Sequence, residues 1–280
     1  MTDSMRFLMI VDDPAIARYC AAHGVDRLFV DLERLGKADR QKHLQSWKSH
    51  QTAADVTRIR EAAPDAHLLV RLNPMHEGSA GEVEDALQRG ADSLMLPMFR
   101  TLEEVAGFVD LVAGRAEVVP LCETLASLTV IPAMIEQLPI ADLHIGMNDL
   151  HLDRGDHFIF QPLADGILDE PCAALRANNK RFGIGGLARA GEGIVTPELL
   201  IGEHVRLGSD SAILSRTFHR NARSLEALLE GTDFEQEVAR LQGIFGGHRA
   251  ASPEALERNH AELVACINGA VLAMEGGAAR

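Results

Sequence analysis

Two acidic residues stand where acids are costly to place. Glu123 closes the run Val118-Val119-Pro120-Leu121-Cys122-Glu123-Thr124, and Asp149 closes Leu143-His144-Ile145-Gly146-Met147-Asn148-Asp149-Leu150. Each run is short, apolar and rich in β-branched or aliphatic side chains, so each reads as a buried strand that ends in a carboxylate. An ionised carboxylate leaving such a strand is strongly penalised unless it meets a cation or hydrogen-bond donors. Two of them at two strand ends suggest a metal. Each acid taken alone has a plainer reading, as a helix N-cap or as the ion-pair partner of a neighbouring arginine.

Those acids need a scaffold that brings strand ends together. The segment 7–11 reads as a first strand, and Asp12-Asp13-Pro14 then sets an Asp N-cap and a first-turn proline before a helix to about His23, ended by Gly24. Further strands are predicted over 28–34, 67–74, 93–98, 182–187 and 212–215, in addition to the Glu123 and Asp149 runs. Helices alternate with them over 52–63, 80–89, 101–112, 129–138, 163–179 and 197–207, and Thr101-Leu102-Glu103-Glu104 has the capping-box pattern. Eight near-continuously apolar strands in alternation with helices imply a parallel sheet covered on its faces. The natural closure is an α/β fold of the (β/α)₈ type, a TIM barrel, with a doubly wound open sheet as the alternative. In a barrel the working face lies at the C-terminal strand ends, where Asp31, Glu33, Arg34, Arg71, Asn73, Glu123, Asn148 and Asp149 all fall. Residues 1–232 are assigned to the barrel and 233–280 to a C-terminal helical extension. Its last helix starts at Ser252-Pro253 and carries an apolar stripe of Leu256, Leu263, Val264, Ile267, Val271 and Leu272. That stripe covers either its own barrel or a neighbouring subunit.

Composition narrows the partners. At 280 residues, 46% hydrophobic and 24% charged, the chain can bury one large core. A net charge of −14 argues against nucleic acid or an anionic membrane surface, since both demand a basic face. An anionic substrate would therefore need local positive charge from a metal or from placed arginines. No apolar run approaches the length of a spanning helix, and the chain leads straight into a strand, so a cytoplasmic protein is expected. Cys20, Cys122, Cys172 and Cys266 are scattered without a metal-binding or disulfide spacing and read as reduced, packed thiols.

In order along the chain stand Phe29-Val30-Asp31-Leu32-Glu33, Val70-Arg71-Leu72-Asn73-Pro74, Gly90-Ala91-Asp92 with Leu96-Pro97, Glu123-Thr124 and Ile145-Gly146-Met147-Asn148-Asp149-Leu150. Together they resemble the signature of the HpcH/HpaI aldolase and citrate lyase β-subunit family, with landmarks over about residues 7–218. The resemblance implies a barrel of the pyruvate and phosphoenolpyruvate-enolate superfamily that makes or breaks carbon–carbon bonds with a divalent metal, Mg²⁺ or else Mn²⁺ or Co²⁺. It implies Glu123 and Asp149 as metal ligands and Arg71 as the arginine on the substrate's oxo and carboxylate oxygens. Asp31, Glu33, Arg34 and Asn148 join Arg71 as substrate-binding candidates. The resemblance also implies C-terminal helices packed across subunits, and a homo-oligomer such as a hexamer built from dimers. The chemistry suits these residue types. Cleavage of a 4-hydroxy-2-oxo acid leaves electrons on C3 of pyruvate, and a cation on the enolate oxygen lowers the barrier. A hard ion accepts two protein carboxylates, with waters and substrate completing its shell. The plainer reading of Arg71 is a barrel-interior arginine paired with Glu123 or Asp31.

One position departs from the family pattern. Aldolases of the best-known branch carry a histidine directly after the strand-two acidic motif, where this chain has Arg34. The general base is then sought among His50, His76 and His151, which follow strand ends two, three and six, or in a metal-bound hydroxide. Arg34 itself either favours a second substrate carboxylate or pairs with Glu33 or Asp31. The glycine-rich segment 183–193 reads as tight packing at the barrel rim, with an anion cradle as the alternative. Three functions stay open at this stage: aldol cleavage or formation of a 4-hydroxy-2-oxo acid, a citryl- or malyl-CoA type lyase or citrate-forming condensation, and a barrel that binds metal and carboxylate without turnover.

Overall fold

The computed structural model describes residues 4–36, 50–231 and 233–278. Eight strands form a closed parallel barrel in sequence order: β1 (Arg6–Ile10), β2 (Arg27–Asp31), β3 (His67–Arg71), β4 (Ser93–Leu96), β5 (Glu117–Cys122), β6 (Asp142–Ile145), β7 (Arg181–Leu187) and β8 (Ser211–Leu214). The ring closes by the parallel pairing of β1 with β8, Leu8 facing Ile213.

Alternation along each strand divides the apolar residues into two cores. Leu8, Phe29, Leu69, Met95, Val119 and Leu121 form one buried cluster, the filling of the barrel. Their strand neighbours Phe7, Met9, Leu28, Val30, Leu68, Val70 and Leu94 belong to a second, larger cluster between the strands and the helices. Strands that bury both faces explain the near-continuous apolar runs of the sequence.

Several helices begin at side-chain caps. In α1 (Pro14–Ala22) the Asp13 carboxylate accepts from the backbone N–H groups of Ala15 and Ile16. α2 (Ala53–Ala62) and α3 (Ser79–Gln88) follow β2 and β3, and α4 (Leu102–Val112) opens with the Thr101 and Glu104 capping box. α5 (Leu125–Gln137) starts four residues before the expected 129, because Thr124 caps it by accepting from the Ser127 N–H at 3.0 Å. The largest correction concerns Asp149. It lies in the first turn of a helix, α6 (Met147–Arg154), since β6 stops at Ile145 and Gly146 starts the helix. The apolar Met147 and Leu150 had made the run look like one strand. The expected helix over 163–179 is two helices, α7 (Gln161–Ala164) and α8 (Asp169–Ala177), separated by a turn in which Gly166 has φ +69°.

After β7 comes α9 (Pro197–Leu207), and after β8 come α10 (Leu225–Gly231), α11 (Phe234–Arg249) and α12 (Pro253–Ala278). α12 lies along α9 of its own barrel. Leu263 and Ile267 are fully buried, Leu256 and Val271 pack on the same core, Asn259 donates to the Leu199 carbonyl and His260 meets Glu203 at 3.0 Å. Most of the apolar stripe is therefore consumed within the chain, and Leu272 stays exposed. No helix among the described residues is long and apolar enough to cross a membrane.

Candidate active site

The C-terminal mouth of the barrel opens into a cavity of about 490 Å³ whose wall includes Arg71, Glu123, Asn148 and Asp149. Four residues singled out on three separate strand-to-loop junctions thus meet on one surface. Phe29, Met95, Leu121 and Ile213, from the filling of the barrel, make its floor.

Glu123 sits one residue beyond β5 and is 2% exposed. Its carboxylate accepts from the Met98 N–H at 3.1 Å, and Met98 adopts φ +56°, a conformation unusual for a non-glycine residue. Gly146 is required beside it. A Cβ there would lie 2.8 Å from Glu123 Oε2, so the β6–α6 junction approaches the carboxylate only because it lacks a side chain. Asp149, also buried, occupies the first turn of α6, where the free backbone N–H groups favour a negative charge.

Arg71 ends β3 and is held from behind. Its Nε and Nη2 donate to the two oxygens of Asp31 at 2.9 and 2.8 Å, and Glu33 stands 3.5 Å from Nη2. The guanidinium carbon lies 5.5 Å from the centre of the Phe29 ring. Burial works to lower the pKa of Arg71, but Asp31, Glu33 and Glu123 outweigh it and raise it, so the charge is fixed as well as the orientation. The ion-pair reading of Arg71 and its place on the cavity wall both hold.

Two oxygen-donor carboxylates on the wall of a roomy cavity fit a small hard divalent cation, which leaves most of its shell to water and substrate. Among the described residues no group of three or more His, Cys, Asp or Glu side chains is placed to hold a metal, so the chain would contribute Glu123 and Asp149 as a pair.

The other candidates are placed differently. Asp31 and Glu33 are buried behind Arg71 and reach the cavity only through it. Arg34 turns away, its guanidinium donating to the Gln51 carbonyl at 2.6 Å and its backbone N–H to Asn73. It pairs with neither Asp31 nor Glu33. His76 stands 3.1 Å from Glu82, and His50 lines a separate cavity with Asp13, Asp55 and Arg58. His151 is buried, with Nδ1 near the Met147 carbonyl of its own helix. None of the three histidines lines the mouth. In the glycine-rich segment, the glycines of β7 are closely packed, and Gly185 and Gly186 also line the cavity. A Cβ on Gly183 would lie 2.3 Å from His144 Nδ1, and the Gly185 carbonyl accepts from His144 Nε2 at 3.0 Å.

Two residues of the cavity wall were missed in the sequence. His144 points inward from β6, and burial pushes its pKa down to about 4. Alternation could have found it, since Asp142 and His144 share a strand face. Arg216 follows β8 just as the other polar residues follow their strands, but the reading of that strand ended at Ser215.

Comparison with known proteins agrees with the fold. The model of the HpcH/HpaI aldolase/citrate lyase family matches residues 4–155, the stretch from β1 to α6. No curated protein matches the sequence. Solved structures share the fold. An HpcH/HpaI aldolase from Desulfitobacterium hafniense DCB-2 is 17% identical with a TM-score of 0.59, covering 76% of this chain and 86% of that one. A HpcH/HpaI aldolase/citrate lyase family protein from Burkholderia cenocepacia J2315 is 16% identical with a TM-score of 0.61, covering 82% and 95%. The citrate synthase SbnG is 16% identical with a TM-score of 0.59, covering 82% and 93%.

Proposed function

Because this chain belongs to the HpcH/HpaI aldolase/citrate lyase family, we propose that it is a carbon–carbon lyase that cleaves or forms a 4-hydroxy-2-oxo acid through a pyruvate enolate. The observation that carries the reading is the tethered Arg71 on the same cavity wall as the buried pair Glu123 and Asp149. Those carboxylates would hold a divalent cation, Mg²⁺, Mn²⁺ or Co²⁺. When bound, the cation supplies Lewis-acid stabilisation of negative charge on the 2-oxo group.

Arg71 then acts on the substrate directly. In cleavage the C3–C4 bond breaks, its electron pair passes to C3 and is delocalised onto the C2 oxygen, and the C4 hydroxyl loses its proton as the aldehyde forms. The rigid guanidinium, fixed by Asp31 and Glu33, offers its remaining donors to the oxygen that gains charge, and it needs no reorganisation to do so. Protonation at C3 yields pyruvate. His50, His76 and His151 lie off the cavity wall, so we assign the C4-hydroxyl proton to water in the open mouth. His144 is not the acceptor: its Nε2–H is engaged by Gly185, its Nδ1 faces Gly183, and burial makes it a weak base. The exposed end of α12, with Leu272 and Met274, is the surface we propose for association with other copies of the chain.

The test is pyruvate release from 4-hydroxy-2-oxo acids. Release that EDTA abolishes and Mg²⁺, Mn²⁺ or Co²⁺ restores is expected. A pyruvate adduct trapped by borohydride would replace the metal reading with a Schiff base, and turnover of acyl-CoA substrates alone would move the protein to the CoA-thioester lyases.

A further inference from the structure

We propose that Arg216 determines which acceptor this site takes, by binding an oxyanion, a carboxylate or a phosphate, on the carbonyl compound that the 2-oxo acid gains or loses. The inference rests on the lyase reading above, but Arg216 lies outside residues 4–155 matched by the family model.

Arg216 is two residues past the end of β8 on the rim of the cavity that holds Arg71, Glu123 and Asp149. With Asn221 it also lines a smaller neighbouring cavity bounded by Asp12, His219 and Arg223. A substrate anchored through its 2-oxo acid at Glu123, Asp149 and Arg71 and extending out of the barrel on this side passes Arg216 before it meets bulk solvent.

Arg220 and Asn221 adopt φ +50° and +54°, two consecutive non-glycine residues in the left-handed region. That turn brings Asn221 back onto the same cavity wall as Arg216. Strained backbone of this kind at the edge of a cavity is characteristic of sites whose geometry is functionally constrained.

Arg71 is gripped by Asp31 and Glu33, and the Arg216 guanidinium adds a second positive charge, half-buried in the cavity rim. Burial lowers its pKa and Arg71 pushes the same way, with Asp31 and Asp12 opposing, so the arrival of an anion would relieve both penalties. In a chain of net charge −14 an acidic ligand enters only where cations are placed for it. Arg34, which the sequence offered for this task, is turned to the Gln51 carbonyl, and the role passes to Arg216. A planar two-pronged donor fits carboxylate and phosphate equally well.

The experiment uses the full chain with Mn²⁺ and has two arms. In the first, kcat/KM for aldol addition of pyruvate is compared across 4-oxobutanoate, glyceraldehyde 3-phosphate and neutral butanal, in wild type, R216Q and R216K. The wild type should prefer an anionic acceptor, R216Q should lower the anionic-to-neutral ratio by about 10- to 100-fold, and R216K should recover part of it. A fall confined to one anion names carboxylate or phosphate, and a ratio unchanged in R216Q overturns the proposal. In the second arm, calorimetric titration with 2-oxoglutarate and with pyruvate asks whether the extra carboxylate strengthens binding. Wild type should bind 2-oxoglutarate more tightly than pyruvate, and R216Q should lose that advantage. Equal ratios in both proteins would overturn the assignment. If no aldehyde is turned over by the wild type, the lyase reading fails, while the titration still decides Arg216.

Discussion

At the N-terminal end of the barrel, Arg6 donates to Asp142 and, at 2.8 Å, to Asp210, while Arg27 reaches Glu117 at 2.8 Å and Asp142 at 3.0 Å, and Arg181 reaches Asp210 at 3.1 Å. At the C-terminal end, arginines and carboxylates again meet inside the ring, as Arg71, Arg216, Glu123 and Asp149. The residue types are alike, but the first group is closed on itself and the second lines an open cavity of about 490 Å³. Burial works against the charge on Arg6 and against the charge on Asp142, yet each partner holds the other ionised, raising the one pKa and lowering the other. Buried charges whose partners are all protein are a structural plug. Buried charges facing a cavity keep part of their field for a ligand, and this difference separates the stabilising end of the barrel from the working end.

Substitution at the two ends should separate stability from activity. Glu123→Gln and Asp149→Asn are expected to abolish metal binding and turnover with the melting temperature unchanged or raised, because a functional site seldom contributes to stability. Asp142→Asn should do the reverse. Removing one member of a buried ion-pair network leaves Arg6 and Arg27 undercompensated and costs about 3–5 kcal/mol, with activity per folded molecule retained. Mn²⁺ calorimetry, denaturant unfolding and active-fraction assays read the three quantities. Wild-type Mn²⁺ affinity in both Glu123→Gln and Asp149→Asn would remove those residues from the site, and a stable Asp142→Asn would dissolve the contrast.

A finer cut lies within the working end. Arg71→Lys keeps the charge but gives up the fork that Asp31 grips through two hydrogen bonds. Metal affinity should be little changed, since Glu123 and Asp149 come from other elements, while kcat should fall on the order of 10²-fold, as for the loss of an oxyanion donor. Because the interaction strengthens as the enolate forms, kcat should fall more than apparent pyruvate affinity. A change in KM alone would make Arg71 a clamp on the substrate carboxylate and nothing more.

How much of this was legible in the sequence follows from what each element depends on. The barrel was readable because alternation of apolar strands with capped helices is a local property, as the Asp13 and Thr101 caps show. Glu123 and Asp149 were readable as acids following apolar runs, but the β6–α6 boundary was not. Met147 and Leu150 are buried in either conformation, so hydrophobicity alone does not separate a strand from the helix that Gly146 starts. The histidines that follow the strand ends lie off the mouth for a different reason. That His76 meets Glu82, and that His50 opens into another cavity, depends on loop geometry that periodicity does not encode. Lys37, Lys42 and Lys48, the lysines that follow β2 in the sequence, lie outside the described residues.

The smallest expected effect concerns acid, which should reach two buried histidines, His144 of β6 and His204 of α9, before it reaches the charged plug. Burial depresses the pKa of His144 to about 4 and that of His204 to about 3, the latter with a further push from His144. In the unfolded chain both should titrate near 6.5, as a free imidazole does. Below pH 6.5 the unfolded state therefore binds protons that the folded state refuses. The stability each histidine contributes is complete above that pH and drains away as pH falls toward the folded pKa. Each adds a slope of at most about 1.4 kcal/mol per pH unit across that window. Asp142 is depressed below its ordinary value by Arg6, Arg27 and Arg181 against the pull of burial, so its contribution is lost only as pH falls below about 3.9. His67 at the N-terminal end and His219 at the rim also shift downward on burial, so the wild-type slope is shared and a variant is needed to divide it. Unfolding free energies from pH 8 to 2 for wild type and His204→Asn provide the test. The variant should lose close to one proton's worth of slope between pH 6.5 and 4, with the steep loss below pH 4 preserved. Parallel curves for the two proteins over the upper window would mean that His204 is not held neutral by its burial, and that the acid response belongs to the charged end after all.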